Sequence, residues 1–334
     1  MADPLPKQCL ILGAGLAGLL AGQRLQAQGW QVTILDKGRG VGGRMATRRI
    51  PTPAGTMAVL DHGAQFFTVR SDEFARLVAG WQAAGVVAEW SRGFAVGDGS
   101  WLNDGHPRYR GVGGMTAVAK HLAAGLDVHL ACQVTAVVAQ ADRWLVHTAD
   151  GQQYPAGALL LTPPVPQSLA LLAAGGVALP EVTQAALAGL SYDPCLALLV
   201  VLEGPSGVPR PGGMWPGGEI IGWLADNTQK GISPEVHAVT IHATPEFSRT
   251  HYETAPEEVA RLLLAEARPW LGSRVLMVQQ QRWRYSIPRL TYPEPCLVVP
   301  GPPPLLFAGD IFAGPRVEGA ALSGLAAAAA LAAL

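Results

Sequence analysis
The 334-residue chain has only four lysines, Lys7, Lys37, Lys120 and Lys230, against twenty arginines. Its formal net charge is −1, so no global excess of positive charge exists to drive binding to nucleic acid or to an anionic membrane. Arginine suits bidentate phosphate recognition. An arginine bias beside many Ala, Gly and Pro is equally what a GC-rich coding sequence produces. Cysteine is scarce. Cys9, Cys132, Cys195 and Cys296 lie far apart with no CxxC, which argues against a disulfide framework or a zinc site, and no metal is expected. A reducing compartment fits, so the expected localisation is cytoplasmic. No long apolar run is present. The segment Gly324–Leu334 is apolar but too short to span a bilayer, and reads as the buried end of a packed helix. The N-terminus lacks a charged region followed by an apolar stretch and a cleavage site, so no signal peptide is expected. Charged residues make up 15% and apolar ones 49%, which fits a folded chain with a large core and two lobes.

What is present begins at residue 9. The apolar run Cys9–Leu12 reads as a buried parallel strand. Gly13-x-Gly15-x-x-Gly18 follows at once, and Asp36 comes 18 residues after Gly18, closing a second apolar run, Val32–Leu35. In this pattern the first glycine permits a tight turn, the second lets a pyrophosphate approach the backbone, and the third lets helix and strand pack closely. Gly22 extends the bare helix face. The helix N-terminus supplies unpaired N–H groups and about half a positive charge. Asp36 is placed to accept ribose hydroxyls, at on the order of 1.5–3 kcal/mol per charge-assisted bond. A second glycine-rich loop, Gly38–Arg44, carries Gly42 and Gly43 in tandem. The chain is therefore expected to bind a dinucleotide, foremost FAD.

Further along, 72–90 reads as helical, with Phe74, Leu77, Val78 and Trp81 on one face. Gly111–Met115 leads into a helix through Leu122. From Asp127 apolar residues alternate, Trp144–Thr148 makes another strand, and Asp150-Gly151 marks a tight turn. Ala158–Pro164 is a buried strand ended by prolines, and 167–190 is helical. Beyond Ser191 come long strand candidates, Cys195–Leu202, Glu219–Leu224, Val236–Ala243 and Val275–Trp283, with one helix, Pro256–Leu271. The nucleotide-domain texture returns with a strand Leu305–Ala308, then Gly309-Asp310 and a final helix from Val317.

The fingerprint, the Gly38–Arg44 loop, the strand Ala158–Pro164, and Phe307–Asp310 followed by Pro315–Ala320 together resemble the flavin-containing amine oxidases. Within that group Asp61–Thr68, His242–Ser248 and Arg282–Pro288 resemble the renalase branch. The resemblance covers nearly the whole chain. It implies an α/β protein: a discontinuous Rossmann FAD domain of glutathione-reductase type, and a mixed antiparallel-sheet substrate domain, in a p-hydroxybenzoate-hydroxylase-like topology. The corresponding bounds are 1–70, 111–166 and 300–334 for FAD, and 71–110 and 167–299 for substrate. It places Gly43, Arg44 and Met45 along the pyrophosphate and flavin, Asp310 at the ribityl or phosphate region, and the helix from Val317 with its positive end at the flavin pyrimidine. The remaining residues it brings to the cofactor are Leu16, Ala17, Lys37, Val134, Thr162, Gly309, Arg316 and Glu318.

The same resemblance implies oxidation of 2- and 6-dihydro isomers of NAD(P) to NAD(P)+, by hydride transfer to flavin N5, with dioxygen as acceptor and hydrogen peroxide as product. Many amine oxidases instead carry a lysine bonded through water to N5, and none of the four lysines lies in the strand leading to Trp283. Cys296 does not match the pattern of covalent flavin attachment, so non-covalent FAD is expected. Gln65, His242 and Trp283 are the candidate catalytic residues; Phe66, Phe67, Trp223 and Tyr285 are candidates for the pocket. Each has a bland alternative as core or strand packing. His62 can face the site or sit in a turn bonded by Asp61, and Arg282 and Arg284 can meet a phosphate or form surface ion pairs. An amine or amino-acid oxidase, or a flavin-binding redox sensor without turnover, is the competing reading. The chain is expected to act as a monomer or homodimer.

Overall fold
A computed structural model describes residues 7–312 and 314–334. Residues 1–6, read above for an export signal, lie outside the described residues. The chain forms two compact units: Met1–Gly43, Ala119–Ser191 and Pro288–Leu334 make one, Arg44–Val118 and Tyr192–Ile287 the other.

The first unit is built on a six-stranded sheet in the order Leu297–Val299, Leu305–Phe307, Ala158–Leu161, Gln8–Leu12, Gln31–Leu35, Asp127–His129. All neighbours pair in parallel except the Leu297–Val299 edge. The inner strands are near-continuous apolar runs because both of their faces are buried. Register aligns Leu12 with Leu35 and with Leu161, and Leu161 with Phe307. The carboxyl ends of four strands are therefore level, and the residues that follow them gather at one edge, where open α/β sheets bind ligands. Helix Leu16–Ala27 packs on the final helix, Val317–Ala332. A Cβ at Gly324 would stand 2.2 Å from the Ala17 carbonyl oxygen, so the two backbones meet with nothing between them. The apolar C-terminal run is the buried part of that helix, and among the described residues no helix is long and apolar enough to cross a membrane. A three-stranded antiparallel sheet, Val134–Ala139, Trp144–Thr148 and Gln153–Ala156, completes the unit with two helices.

The second unit holds a seven-stranded sheet in the order Val275–Leu290, Ser191–Leu202, Ala238–Ala243, Ile221–Asp226, Gly213–Trp215, Phe94–Val96, Trp101–Leu102. One face is covered by helix Pro256–Leu271, whose Val259, Leu263, Ala267 and Leu271 meet Leu196, Leu198, Val200 and Leu202. The other face is covered by the hairpin Thr47–Pro51 and Met57–Asp61, whose Ile50, Ala58 and Leu60 meet Leu199, Val201 and Ala238. Burial on both faces is why Cys195–Leu202 reads as an unbroken apolar run.

Several elements differ in extent from the sequence expectation. The helix expected over 72–90 ends at Ala83, where Gly85 takes φ +71°, and Val87–Ser91 is a strand. The helical stretch 167–190 is two helices, Val165–Ala174 and Glu181–Ala188, parted by Gly175-Gly176 and Pro180. The strand expected to end at Trp283 continues to Leu290.

Candidate functional site
In the first unit the strand Gln8–Leu12 turns at Gly13, whose φ of +100° favours glycine. The Gly13 N–H donates to the Leu35 carbonyl at 2.8 Å. Thr162 Oγ1 donates to the Leu12 carbonyl at 2.7 Å, and a Cβ at Gly13 would stand 2.5 Å from that hydroxyl. The following helix begins at Leu16 with Gly15 as its N-cap. It has no side-chain cap and no acidic residue in its first turn. Its leading N–H groups are thus left for an anion. A Cβ at Gly15 would meet nothing within 4 Å, so the approach to those groups is open. Asp36 accepts from the Ala14 N–H at 2.7 Å through Oδ2 and from the Gly38 N–H at 2.6 Å through Oδ1. A carboxylate has about four acceptor sites, so ribose hydroxyls still find lone pairs there. Gly42 donates to the Ala14 carbonyl at 2.9 Å, and a Cβ at Gly43 would lie 3.6 Å from Gly15 Cα, which lays the second glycine loop against the turn.

The other predicted cofactor residues of this unit fall into two groups. Leu16 and Ala17 are buried in the first helical turn, and Val134 opens its strand. Lys37 points to Gln167, with Nζ 3.2 Å from Oε1. Gly309 follows the last parallel strand at φ +142° and donates to Ser323 Oγ at 2.8 Å, with Asp310 next to it. Arg316 is the N-cap of the final helix, Val317 begins it, and Glu318 is buried in its first turn. An open, uncapped helix start beside a half-exposed carboxylate, at level strand ends, fits an adenine dinucleotide.

The second unit gathers a different set. Asp61 is fully buried. Its Oδ1 accepts from the Met115 N–H at 2.8 Å and the Thr47 hydroxyl at 2.5 Å, and its Oδ2 from Lys230 Nζ at 2.6 Å. Lys230, also buried, donates again to the Gln65 carbonyl at 2.6 Å and lies 4.9 Å from the Trp90 ring centre. Burial pulls its ammonium below the ordinary value, against the opposing pull of Asp61. Gln65 Nε2 donates to the Asp61 carbonyl at 2.7 Å and the Gly63 carbonyl at 3.0 Å, and lies 3.4 Å from His242 Nε2. His242 also bonds the His62 backbone. The His62 ring stacks on Trp283 at 5.3 Å, and Trp283 Nε1 donates to the His62 carbonyl at 2.8 Å. Arg44 and Met45 lie in the 3-10 turn Gly43–Met45, where Arg44 donates to the Ser286 carbonyl at 3.2 Å.

Gln65, His62, His242 and Trp283 are thus brought together. Trp223 pairs with His242 on the neighbouring strand, and its ring packs 5.4 Å from Phe66. Phe67 points the other way, into the rings of Phe74, Trp81 and Tyr109, because successive residues of an extended segment face opposite sides. Tyr285 packs on Tyr192 at 5.6 Å. Arg284 pairs with Glu253 at 2.8 Å and Arg282 donates to the Tyr252 carbonyl at 3.3 Å, which makes both surface residues. The sequence reading assigned no role to Lys230 or to Asp61 as an ion pair. Among the described residues no group of His, Cys, Asp or Glu is placed to hold a metal ion.

Burial pushes both imidazoles down, His62 and His242 each to about 4, with Arg48 adding to the effect at His62. Both rings are therefore neutral at pH 7. Between pH 6.5 and 4 the unfolded chain takes up protons that the folded rings refuse, so the stability they contribute is present above that window. It is lost as pH falls through it, by up to about 3 kcal/mol per ring. Ring resonances followed by NMR are expected to stay unprotonated at pH 5.5; titration of both near 6.5 would contradict this.

A model of flavin containing amine oxidoreductases matches residues 69–332, and a model of NAD(P)-binding Rossmann-like domains matches 11–81. The chain belongs to the flavin-containing amine oxidoreductases. It is an FAD-dependent oxidoreductase with a mixed α/β fold. The fold is similar to wild-type putrescine oxidase bound to putrescine, at 16% identity over 98% of this chain and 99% of that one, TM-score 0.71. It is similar to a putative protoporphyrinogen oxidase from Exiguobacterium sp. 255-15, at 12% identity, the same two coverages and TM-score 0.71. A CLA-producing fatty acid isomerase from P. acnes matches at 13% identity over 100% and 99%, TM-score 0.69. At these identities the likeness is one of fold. A bifunctional protein of tRNA 5-methylaminomethyl-2-thiouridine biosynthesis from Delftia acidovorans is 55% identical over 31 residues, which is 9% of this chain and 5% of that protein.

Proposed function
We propose that this flavoenzyme is a renalase-type oxidase, converting 2- and 6-dihydro isomers of NAD(P) to NAD(P)+. In this reading the first unit is a nucleotide lobe of glutathione-reductase type with p-hydroxybenzoate-hydroxylase-like connections, and the second unit receives the substrate. FAD, when bound, takes a hydride from the substrate and passes the electrons to dioxygen, giving hydrogen peroxide. The turn Gly13–Gly18 holds the pyrophosphate and Asp36 the ribose. Arg44, Met45, Thr162, Asp310 and the start of the final helix serve the rest of the cofactor. Burial raises the Cys296 thiol, which weakens it as a nucleophile and fits FAD held without a covalent bond. All four cysteines are unpaired, which fits a cytoplasmic enzyme.

The charge state of the buried cluster in the second unit carries this reading. His62 and His242 are neutral, and the Asp61 carboxylate is committed to Lys230, Met115 and Thr47. Lys230 is committed in turn to Asp61 and the Gln65 carbonyl. Such a cluster offers an ammonium ion no anionic handle. It suits a substrate that is already a strong hydride donor and needs positioning and exclusion of water more than acid–base help. Family membership keeps an amine as the competing substrate.

Anaerobic mixing of the yellow holoenzyme with each candidate donor tests this. Rapid bleaching by 2- or 6-dihydroNAD(P) is expected, with slow or no response to ordinary 4-dihydroNAD(P)H and to a panel of amines. Air should restore the colour with release of peroxide. Bleaching by an amine instead would assign an amine oxidase, and no bleaching by any donor would favour a redox sensor.

A further inference from the structure
The cluster around Gln65 contains buried polar atoms that the mechanism above does not use. Gln65 Nε2 spends both of its protons on the Asp61 and Gly63 carbonyls. An amide turned the other way would set its oxygen against those two carbonyls, so the orientation is determined. Gln65 Oε1 is then left buried and without a partner, on a residue 6% exposed. Its backbone is pinned as well, since Lys230 holds the Gln65 carbonyl and Asp61 holds Lys230. Trp223 Nε1 is a second such atom, on a residue also 6% exposed. Trp223 is the strand partner of His242, which touches Gln65, and its ring packs on Phe66, the residue after Gln65. The amide oxygen is an acceptor only and the indole N–H a donor only. Buried groups of this kind find partners in native proteins, and where the chain supplies none a ligand is the natural source.

We propose that Gln65 Oε1 and Trp223 Nε1 recognise a neutral primary carboxamide, the first taking its N–H and the second its carbonyl, and so make the site select dihydronicotinamide over dihydronicotinate. The assignment rests on the dihydronicotinamide reading given above. A carboxylate in the same place presents acceptors only, and sets one of them against Gln65 Oε1. Lys230 acts as a positioning residue for the acceptor.

Two measurements on the FAD holoenzyme test it. The first compares anaerobic flavin reduction by 6-dihydroNAD with that by the 6-dihydro form of nicotinic acid adenine dinucleotide. The second compares equilibrium binding of the two oxidised dinucleotides. Wild type is expected to favour the carboxamide by about 100-fold in kcat/KM, because a site built around a hydrogen bond rejects analogues that leave it unmade. Gln65→Met is expected to bring the two within about 5-fold of each other, mainly by losing activity on the carboxamide. Trp223→Phe keeps the ring and removes the donor, and is expected to narrow the preference in the same direction, which covers a Gln65→Met protein that fails to fold. Turnover of both dinucleotides at similar rates by wild type would overturn the inference and leave the function standing. So would a Gln65→Met enzyme that keeps its preference while its flavin spectrum shifts and FAD is lost; that result would give the acceptor to an N–H of the flavin. If neither dihydro form bleaches the flavin, the function reading fails, and equal binding of the two oxidised dinucleotides would then overturn the inference as well.

Discussion
Lys230→Met is expected to destabilise the folded protein by about 3–5 kcal/mol, a large part of the total for an ordinary domain. Both partners of the Lys230–Asp61 pair are fully buried, at 2.6 Å. Removing the ammonium leaves the Asp61 carboxylate with bonds only from the Met115 N–H and the Thr47 hydroxyl, far from water. The loss spreads because Asp61 joins several segments. It ends the hairpin strand Met57–Asp61, and its carbonyl accepts from Thr240 Oγ1 at 2.9 Å. Lys230 ties the turn after Ile221–Asp226 to the Gln65 carbonyl. The double variant Asp61→Asn, Lys230→Met removes both charges at once and is expected to recover much of the loss, since a buried pair replaced as a whole is often neutral. Urea unfolding checks both, as a lowered midpoint with an unchanged slope in the single variant and a midpoint near wild type in the double. A Lys230→Met protein as stable as wild type would show that the pair does not hold the segment.

Why this pair escaped sequence reading is a matter of distance along the chain. Asp61 and Lys230 are 169 residues apart, and each sits in a polar, turn-like context that resembles ordinary surface. Local chemistry was far more legible. Helix Pro256–Leu271 has the expected bounds because Pro256 starts it, Glu257 and Glu258 favour its first turn, Gly272 at φ +69° ends it, and apolar residues recur every fourth position. The parallel strands were visible as apolar runs followed by glycine or proline. Short breaks were not. Gly175-Gly176 inside an Ala/Leu-rich stretch still reads as helix by periodicity, although Gly176 at φ +72° stops it. In the site, Phe66 and Phe67 are equivalent by composition. Only the direction of the extended backbone sends one to Trp223 and the other to Trp81.

The fingerprint glycines are expected to fail in opposite ways when replaced. Gly15→Val should give a folded protein that purifies without its yellow colour. Gly15 has φ −77° and ψ 178°, a conformation open to any residue, and a Cβ there meets nothing within 4 Å. Neither the backbone nor the packing of the chain requires glycine at that position. The requirement comes from what must approach the uncapped N–H groups of the helix. Branched methyls in that space deny at least two charge-assisted hydrogen bonds at about 1.5–3 kcal/mol each, which lowers FAD affinity by roughly 100-fold or more. Gly18→Val acts on the protein itself. Its Cβ would stand 2.1 Å from the Gly13 carbonyl oxygen and 3.2 Å from Ile11, so the helix must leave the strand it packs on. Backbone overlap of this kind costs about 3 kcal/mol or more and is expected to lower the melting temperature of the cofactor-free protein as well. The ratio of flavin to protein absorbance, read beside the thermal melt of each apoprotein, separates the two effects. A Gly15→Val protein that retains stoichiometric FAD would remove the nucleotide site from this turn, while equal loss of stability in both variants would make Gly15 a structural glycine.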